Sequence, residues 1–378
     1  MSQSFPTLSQ PIGDAVPSKK TPTGPREGDQ YGFDLSASRG RTMREKMRQA
    51  EETADDKGNL KQLGSVVPLP KLSSIKKRLL EGSLEIRSEE PDDLAFSHSI
   101  FCQCAMPAAK PDPGVLEWER KQGKATLLIQ AGKVQHPKTR EWEQMHLPYG
   151  PKARLLLLHL NSEAIRNQSP IIPVEDSMTA FFRRLMGNKT QDGRQVKMLK
   201  TQLSALAAAN FRIGIAYDDH HSTQINANVV STFDLWFEKD ETQRVLWPST
   251  LRLSLDYFDS LTRHAVPLDE RAIAILAFSA VALDIYCWLA QRLHRIPAGK
   301  TQFIHWPGLQ EQFGQEYAEI RFFRRFFKKM LLQVQKAYPE ANIDLDRKGM
   351  YLRQSPPPVR KALVVLPSTK FLELKAEK

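Results

Sequence analysis

The chain of 378 residues contains only three cysteines, Cys102, Cys104 and Cys287. A set this small and odd in number argues against a disulfide framework and favours a reducing compartment. The pair in Cys102-Gln-Cys104 has no second pair at zinc-ligand spacing elsewhere in the sequence. We therefore predict structural roles for these thiols and no metal site.

Long hydrophobic runs are also missing. No signal peptide opens the chain, and the apolar run at 155–160 is far too short to span a bilayer. The longer apolar stretch at 268–296 is interrupted by Asp284, Gln291 and Arg292. We therefore expect a cytoplasmic protein with no membrane partner.

Catalytic motifs are scarce as well. The sequence contains no Gly-x-Ser-x-Gly, no His-Glu-x-x-His and no His-hydrophobic-His pattern. The stretch PAGKT (297–301) resembles the end of a P-loop, but His294 stands where its first glycine belongs. The cluster YDDHHSTQ (217–224) places two carboxylates beside two imidazoles on a predicted hairpin tip, where adjacent side chains diverge. We predict no enzyme activity, no catalytic residue and no cofactor.

Positive charge is what the chain has in excess. It carries 54 Lys and Arg against 43 Asp and Glu, for a net charge of +11. The first 65 residues hold ten basic and nine acidic residues, so nearly all of the excess lies in the remainder. A basic surface on folded modules suits a polyanion, most often nucleic acid.

Composition divides the chain into five predicted segments. Residues 1–38 are rich in Pro, Ser, Thr and Gly, a composition typical of disorder. The segments are a disordered arm at 1–65, a linker at 66–95, a first domain at 96–262, a second domain at 263–359 and a tail at 360–378.

The two predicted domains show the same order of elements. The first comprises a strand at 125–132, helices at 151–168, 174–187 and 193–210, and a hairpin of 211–217 and 228–237 joined by a polar tip at 218–224. The second comprises a long helix at 268–296 opened by Pro267 and Asp269, helices at 306–314 and 319–334, and a hairpin within 341–355. In this hairpin we expect Ile343 and Leu345 to face Met350 and Leu352. Three helices followed by a hairpin is the layout of a winged helix, whose third helix enters the major groove of DNA. The sequence thus predicts an α+β, mainly helical fold with two tandem winged-helix domains.

The segment EIRFFRRFFKKMLLQV (319–334) alternates apolar and basic doublets. At about 100° per residue, a helix gathers doublets of one kind on one side. The predicted packed face consists of Phe322, Phe323, Phe326, Phe327, Met330, Leu331 and Val334. The opposite face consists of Arg321, Arg324, Arg325, Lys328 and Lys329. Five like charges with no acid between them favour a polyanionic partner over a merely solvated surface.

The helix at 193–210 shows a weaker form of the same pattern. Its predicted packed side is Val196, Leu199, Leu203 and Leu206, and its opposite side is Arg194, Lys197, Lys200, Thr201 and Ser204. Hydroxyls and cations together suit groove reading. The second hairpin adds Arg347 and Lys348 in its turn, where a wing touches the DNA backbone.

Several long stretches are similar to a known family. They include HLPYGPKARLLLLHLNSEA, RVLWPSTLRLSLDYFDSL, HAVPLDERAIAILAFSAVALDIYCWLAQRLHRI and LRQSPPPV, and they lie between about Phe96 and Val359. Together they resemble the plasmid-encoded RepA family of replication initiators. The resemblance implies two winged helices that bind repeated sites (iterons) in double-stranded DNA at a plasmid origin. It also implies opening of an AT-rich segment, recruitment of the host initiator DnaA and the replicative helicase, and a homodimer form.

Two alternatives stay open. One is a nickase or nuclease that acts at the plasmid origin, which only the cluster at Asp218–His221 favours. The other is a winged-helix transcriptional repressor that binds DNA without initiating replication.

Overall fold

A computed structural model of the chain describes residues 73–136, 139–173, 180, 182–183, 193–216, 221–233 and 250–360. The predicted arm at 1–65 and the tail from residue 361 lie outside the described residues. None of the described helices is long and apolar enough to cross a membrane.

The helices follow the chain in this order: α1 (Ser74–Ser88), α2 (Ser99–Gln103), α3 (Gly150–Asn167), α4 (Gly193–Ala208), α5 (Leu255–His264), α6 (Glu270–Leu276), α7 (Ala280–Arg292), a 3-10 turn (Leu293–Arg295), α8 (Trp306–Phe313) and α9 (Ile320–Ala337).

The strands are β1 (Leu94–His98), β2 (Glu117–Gln122), β3 (Ala125–Gln130), β4 (Lys133–Gln135), β5 (Trp142–Gln144), β6 (Ile171–Pro173), β7 (Asn210–Ala216), β8 (Ser222–Asn228), β9 (Val230–Phe233), β10 (Thr250–Leu253), β11 (Ala265–Asp269), β12 (Thr301–His305), β13 (Ile343–Leu345) and β14 (Gly349–Arg353). They form small sheets in the orders β1–β11, β2–β3–β7–β8, β4–β5, β6–β10–β9 and β12–β14–β13. Every described pairing is antiparallel. The predicted mixture of helices and strands is therefore confirmed.

Helix α7 lies at the centre of the core. Its sequence, AVALDIYCWLAQR, is apolar almost all round, which is the pattern of a helix buried on every side. Tyr286, Trp288 and Leu289 are all buried, and α7 contacts α2, α3 and α9. The burial of α7 thus joins helices from both predicted domains in one core.

A buried ion pair connects α3 to α7. Nε of Arg154 donates to Oδ1 of Asp284 at 2.6 Å, and Nη2 donates to Oδ2 at 2.7 Å. The remaining guanidinium protons are also used, because they reach the backbone oxygens of Met106, Pro107 and Gly150 at 2.6–3.0 Å. Burial raises the pKa of the Asp284 carboxyl, and the bidentate contact with Arg154 opposes that shift. The pair therefore combines charge neutralisation with complete hydrogen bonding of the guanidinium.

A two-stranded sheet joins the same two parts of the chain. Strand β1 pairs with β11 from Leu94↔Asp269 to His98↔Ala265. The backbone N–H of Phe96 donates to the Ser162 hydroxyl of α3 at 2.8 Å, which packs this sheet on α3. Strand β1 and Arg154 thus contact residues on the other side of the domain boundary predicted between residues 262 and 263. That boundary remains a prediction.

The long helix predicted at 268–296 is wrong in two respects. Pro267 lies in strand β11 and not in a helix, because this segment pairs with β1, a partner distant in sequence. The helix is also divided into α6 and α7, because the Ser279 hydroxyl accepts from the backbone N–H of Ala282 at 3.2 Å and caps a new helix. Asp269 is confirmed as a helix cap, since its carboxylate accepts from the N–H of Arg271 at 2.8 Å.

The first predicted hairpin also needs correction. Strand β7 pairs with β8, so 222–224 lie in a strand and not in the polar tip. Strand β9, predicted as the partner of β7, pairs with β10 instead. Val229 and Val230 are both buried at the point where the chain leaves the first sheet and enters the second.

Several other predicted helices and strands are confirmed. The helices predicted at 151–168, 193–210, 306–314 and 319–334 correspond to α3, α4, α8 and α9, and the strand at 125–132 corresponds to β3. In the second hairpin Ile343 faces Leu352 and Leu345 faces Met350, as predicted. The helix predicted at 174–187 lies mostly outside the described residues. Several elements were missed, among them helix α1, inside the predicted linker, and strand β12, which pairs with β14.

Two of the sheets repeat one strand order. In β6–β10–β9 and in β12–β14–β13, the strand that is first in sequence pairs with the last, and the middle one lies at the far edge. Strand β6 follows α3 and precedes α4, while β12 follows α7 and precedes α8 and α9. The repeat therefore involves helices as well as strands.

The ion pair between α3 and α7 generates a stability prediction. Asp284→Ala leaves the Arg154 charge buried without its partner, and we expect a loss of about 3–5 kcal/mol in the free energy of unfolding. Arg154→Met should cost a similar amount, and the double variant much less than the sum of both losses. Urea denaturation measures all three.

Glu81→Ala is the matched control, because Glu81 pairs with Lys77 at 3.6 Å on the exposed side of α1. That loss should stay below about 0.5 kcal/mol. Additive losses in the double variant would contradict the coupling of Arg154 with Asp284.

Candidate nucleic-acid interface

Helix α9 presents an apolar face to the core. Phe323, Phe327, Met330, Leu331 and Val334 are buried, as the doublet pattern predicts. The ring edges of Phe323 and Phe327 meet Trp306 of α8, with centroids 6.4 and 5.9 Å apart. These edge-to-face contacts fix the rotation of α9 about its axis.

A glycine permits this close packing. A β-carbon at Gly314, just after α8, would lie 2.1 Å from Cδ2 of Phe323. No side chain fits there without moving the ring, so the turn between α8 and α9 depends on Gly314.

The opposite side of α9 is basic. Arg321, Arg325, Lys328 and Lys329 are exposed, and Arg324 is half-buried. Arg321 forms an ion pair with Glu319 at 2.6 Å. Within the described part of the chain, the other four have no acidic side chain in ion-pair range. These four like charges lie within three turns of one helix, so their mutual repulsion favours binding of an anion.

Phe322 departs from the prediction. The sequence placed it on the packed face, yet it is 47% exposed. The reason is its position at the edge of the apolar arc. Arg325 and Lys329, three and seven residues later, lie on the same side of the helix as Phe322, and both are exposed. Phe326 is only partly buried.

Trp306 links α9 to the second hairpin. Its indole ring is buried, with the Arg324 guanidinium 5.3 Å and the Lys328 ammonium 5.9 Å from the ring centroid. Its backbone N–H donates to the backbone oxygen of Lys348 at 3.1 Å, and its indole N–H donates to the backbone oxygen of Asp346 at 3.3 Å. Trp306 thus contacts two cations of α9 and also the turn between β13 and β14.

The hairpin turn is ordered by Asp346. Its Oδ1 accepts from the backbone N–H groups of Lys348 and Gly349 at 2.6 and 2.7 Å, and its Oδ2 accepts from the Tyr351 hydroxyl at 3.1 Å. Arg347 and Lys348 are exposed at the tip. Because Trp306 ties this turn to α9, the tip extends the basic surface beyond the helix.

The turn before α9 is also held by the part of the chain before residue 262. The Arg120 guanidinium lies 3.6 Å from the ring centroid of Trp118 and donates to the side-chain oxygen of Gln315. Burial lowers the pKa of Arg120 to about 10, so it stays charged at neutral pH. Nε2 of Gln312 donates to the backbone oxygen of Gln103 at 3.3 Å. Strand β2 and helix α2 therefore help to orient α9.

Helix α4 carries a smaller basic surface. Arg194, Lys197 and Thr201 are exposed and Lys200 is half-buried. The Thr201 hydroxyl donates to the backbone oxygen of Lys197 at 2.9 Å, so its proton is already in use. Leu199, Leu203 and Leu206 are buried as predicted, and the side chain of Val196 lies outside the described residues. Exposed Met198, beside Lys197, was not predicted.

Other candidate chemistry gains no support from the described residues. Among them, no group of three His, Cys, Asp or Glu side chains could hold a metal ion. Asp218, Asp219 and His220 lie outside the described residues, and His221 is exposed. All three cysteines are buried free thiols, which agrees with the predicted structural role.

One buried Ser–His pair resembles part of a hydrolytic site. Nε2 of His98 lies 2.9 Å from the Ser260 hydroxyl, but Nδ1 accepts the backbone N–H of Ile100 at 3.1 Å. Nε2 therefore carries the proton and cannot accept one from Ser260. Burial and the nearby His264 lower the pKa of His98 to about 3, so the ring is neutral at physiological pH. The pair is structural.

Residues 147–308 match the family model RepA_C, described as "Plasmid encoded RepA protein". Because of this similarity, we call residues 147–308 the RepA_C segment. The resemblance predicted from the sequence is therefore confirmed over this range.

Two solved structures are similar to the chain, and both contain domains 2 and 3 of RctB. One crystal structure, of a selenomethionine derivative, shares 10% identity, with 68% of this chain and 96% of that chain covered, at a TM-score of 0.45. The other shares 9% identity, with coverages of 67% and 94%, at a TM-score of 0.42. No curated protein matches the chain.

The RepA_C segment covers part of the candidate interface. It begins just before α3, contains α4, and ends at Gly308 inside α8. Trp306 therefore lies within the segment, whereas α9 and the hairpin of β13 and β14 lie beyond it.

The packed face of α9 generates a stability prediction with an internal control. Phe323→Ala and Phe327→Ala should each lower the free energy of unfolding by about 3–5 kcal/mol, the usual cost of a buried phenylalanine. Phe322→Ala should cost less than about 1 kcal/mol, because that ring is half exposed. Chemical denaturation of the three variants measures the difference, and equal losses would contradict the orientation of α9.

Proposed function

We propose that this chain is a plasmid replication initiator that binds double-stranded DNA at the plasmid origin through repeated sites. The RepA_C segment supports the initiator role. The observation that carries DNA binding is the basic face of α9, where Arg324, Arg325, Lys328 and Lys329 have no acidic partner within the described residues. This face continues to the hairpin tip through Trp306.

In this proposal the chain uses two winged helices. The second consists of α7, β12, α8 and α9 with the wing β13–β14, and α9 enters the major groove. The repeated strand order supports a first unit built from α3, β6, α4, β9 and β10. The wing of the first unit is then β9–β10, and the hairpin β7–β8 is an insertion that extends the sheet of β2 and β3.

The two units divide the work unequally. Phosphate neutralisation sets most of the affinity of a protein for duplex DNA. The larger basic surface belongs to α9 and its wing tip, so they supply most of the affinity. Arg194, Lys197 and Lys200 of α4, with Thr201, add contacts from the first unit.

The remaining steps of initiation rest on the family resemblance. They are the opening of an AT-rich segment, the recruitment of DnaA and the replicative helicase, and the formation of a homodimer. None of them requires the chain to cleave DNA, so we propose a binding protein without enzyme activity.

A salt titration tests the DNA interface. Arg325→Ala and Lys329→Ala should each weaken binding of a duplex from the plasmid origin and reduce the slope of log K against log salt by about one unit. Both side chains are exposed, so thermal stability should not change. Lys76→Ala, which removes an exposed cation from α1, is the control with an unchanged slope. Unchanged slopes in all three variants would show that α9 is not part of the DNA interface.

A nicking assay separates the initiator from the nuclease alternative. Supercoiled origin plasmid, incubated with the protein and magnesium, should keep an intact backbone. Open-circular product that disappears in an Asp218→Ala variant would favour a nickase. A transcriptional repressor would leave the plasmid intact as well, but deleting its gene would not stop plasmid copying.

A further inference from the structure

Phe322 is an exposed aromatic residue on an otherwise charged surface. It is the third residue of α9, and 47% of it is exposed. The cations at positions 325 and 329 lie on the same side of the helix. A phenylalanine that serves only stability belongs on the packed face, where Phe323 and Phe327 already lie fully buried.

The ring of Phe322 is held in place from one side. The Arg321 guanidinium lies 4.8 Å from the ring centroid, and Arg321 is itself fixed by its ion pair with Glu319 at 2.6 Å. The contact with Arg321 favours one orientation of the ring at the start of α9. An ordered apolar side chain loses less conformational entropy when it binds.

The position of Phe322 along the helix also matters. In helix-turn-helix proteins the N-terminal residues of the recognition helix contact base edges. Lysines farther along α9, such as Lys328 and Lys329, are then suited to phosphates. Phenylalanine offers no hydrogen bond, so the only base-edge group in the major groove that matches it is the 5-methyl group of thymine.

We propose that Phe322 is a specificity-determining residue that contacts a thymine methyl group in the major groove. The inference rests on the proposed function, because it requires α9 to enter DNA. It assigns sequence reading to an apolar side chain and leaves the neighbouring cations to supply affinity.

The test uses the full chain and two synthetic duplexes of the origin segment that it binds. One duplex contains thymine and the other contains deoxyuridine, which lacks only the 5-methyl group. The wild-type protein should bind the deoxyuridine duplex about four-fold more weakly for each thymine contacted, the value for one buried methyl group. Phe322→Ala should lose a similar factor on the thymine duplex and bind both duplexes equally.

Two further variants keep the test specific. Leu332→Ala removes another exposed apolar side chain of α9, 64% exposed, and should discriminate between the duplexes as the wild type does. Phe322→Leu keeps an apolar side chain and should retain part of the discrimination. The salt slope should be unchanged in all of them, because no charge is lost.

The outcomes separate the two proposals. A wild-type protein that binds neither duplex contradicts the proposed function. A wild-type protein that binds both duplexes equally, or a Phe322→Ala variant that still discriminates between them, overturns the role of Phe322 and leaves DNA binding intact.

Discussion

The buried pair of Arg154 and Asp284 is the interaction on which the arrangement of the core depends. It joins α3 to α7, the helix around which the core is built. Isolated burial of either charge would cost several kcal/mol, so the two helices are stable only together. The side chain of Arg154 also binds three backbone oxygens, which fixes the segment before α3. Because the pair fixes α3 relative to α7, it also fixes the positions of α4 and α9 relative to each other.

Trp306 plays the corresponding role at the surface. Its ring lies beneath Arg324 and Lys328, and its two N–H groups hold the turn that carries Arg347 and Lys348. Because a preorganised surface loses less entropy on binding, such a link strengthens contacts with a rigid partner such as duplex DNA. The cost is that cations with no acidic partner among the described residues are held close together, which a bound polyanion offsets.

The sequence predicts those features that depend on local periodicity. Helix α9, its buried Phe323 and Phe327, and the register of the second hairpin all follow from spacing along a short segment. Phe322 is the exception, because periodicity alone does not decide whether a residue at the edge of the apolar arc is buried; the packing of neighbouring elements decides it. Strand β11 could not be predicted, because its partner β1 is distant in sequence. Helix α1 was missed because the buried residues on its side facing α6 are Leu79, Gly82 and Ser83, of which only Leu79 is a large apolar residue.

The central proposal is that the surface formed by α9 and the wing tip binds double-stranded DNA at a plasmid origin. A hydroxyl-radical footprint of the full-length protein on that origin tests it most directly. We expect protection at repeated sites, which disappears in an Arg325→Glu/Lys329→Glu variant that retains wild-type thermal stability. Equal protection by that variant, or no protection of the origin by the wild-type protein, would contradict it.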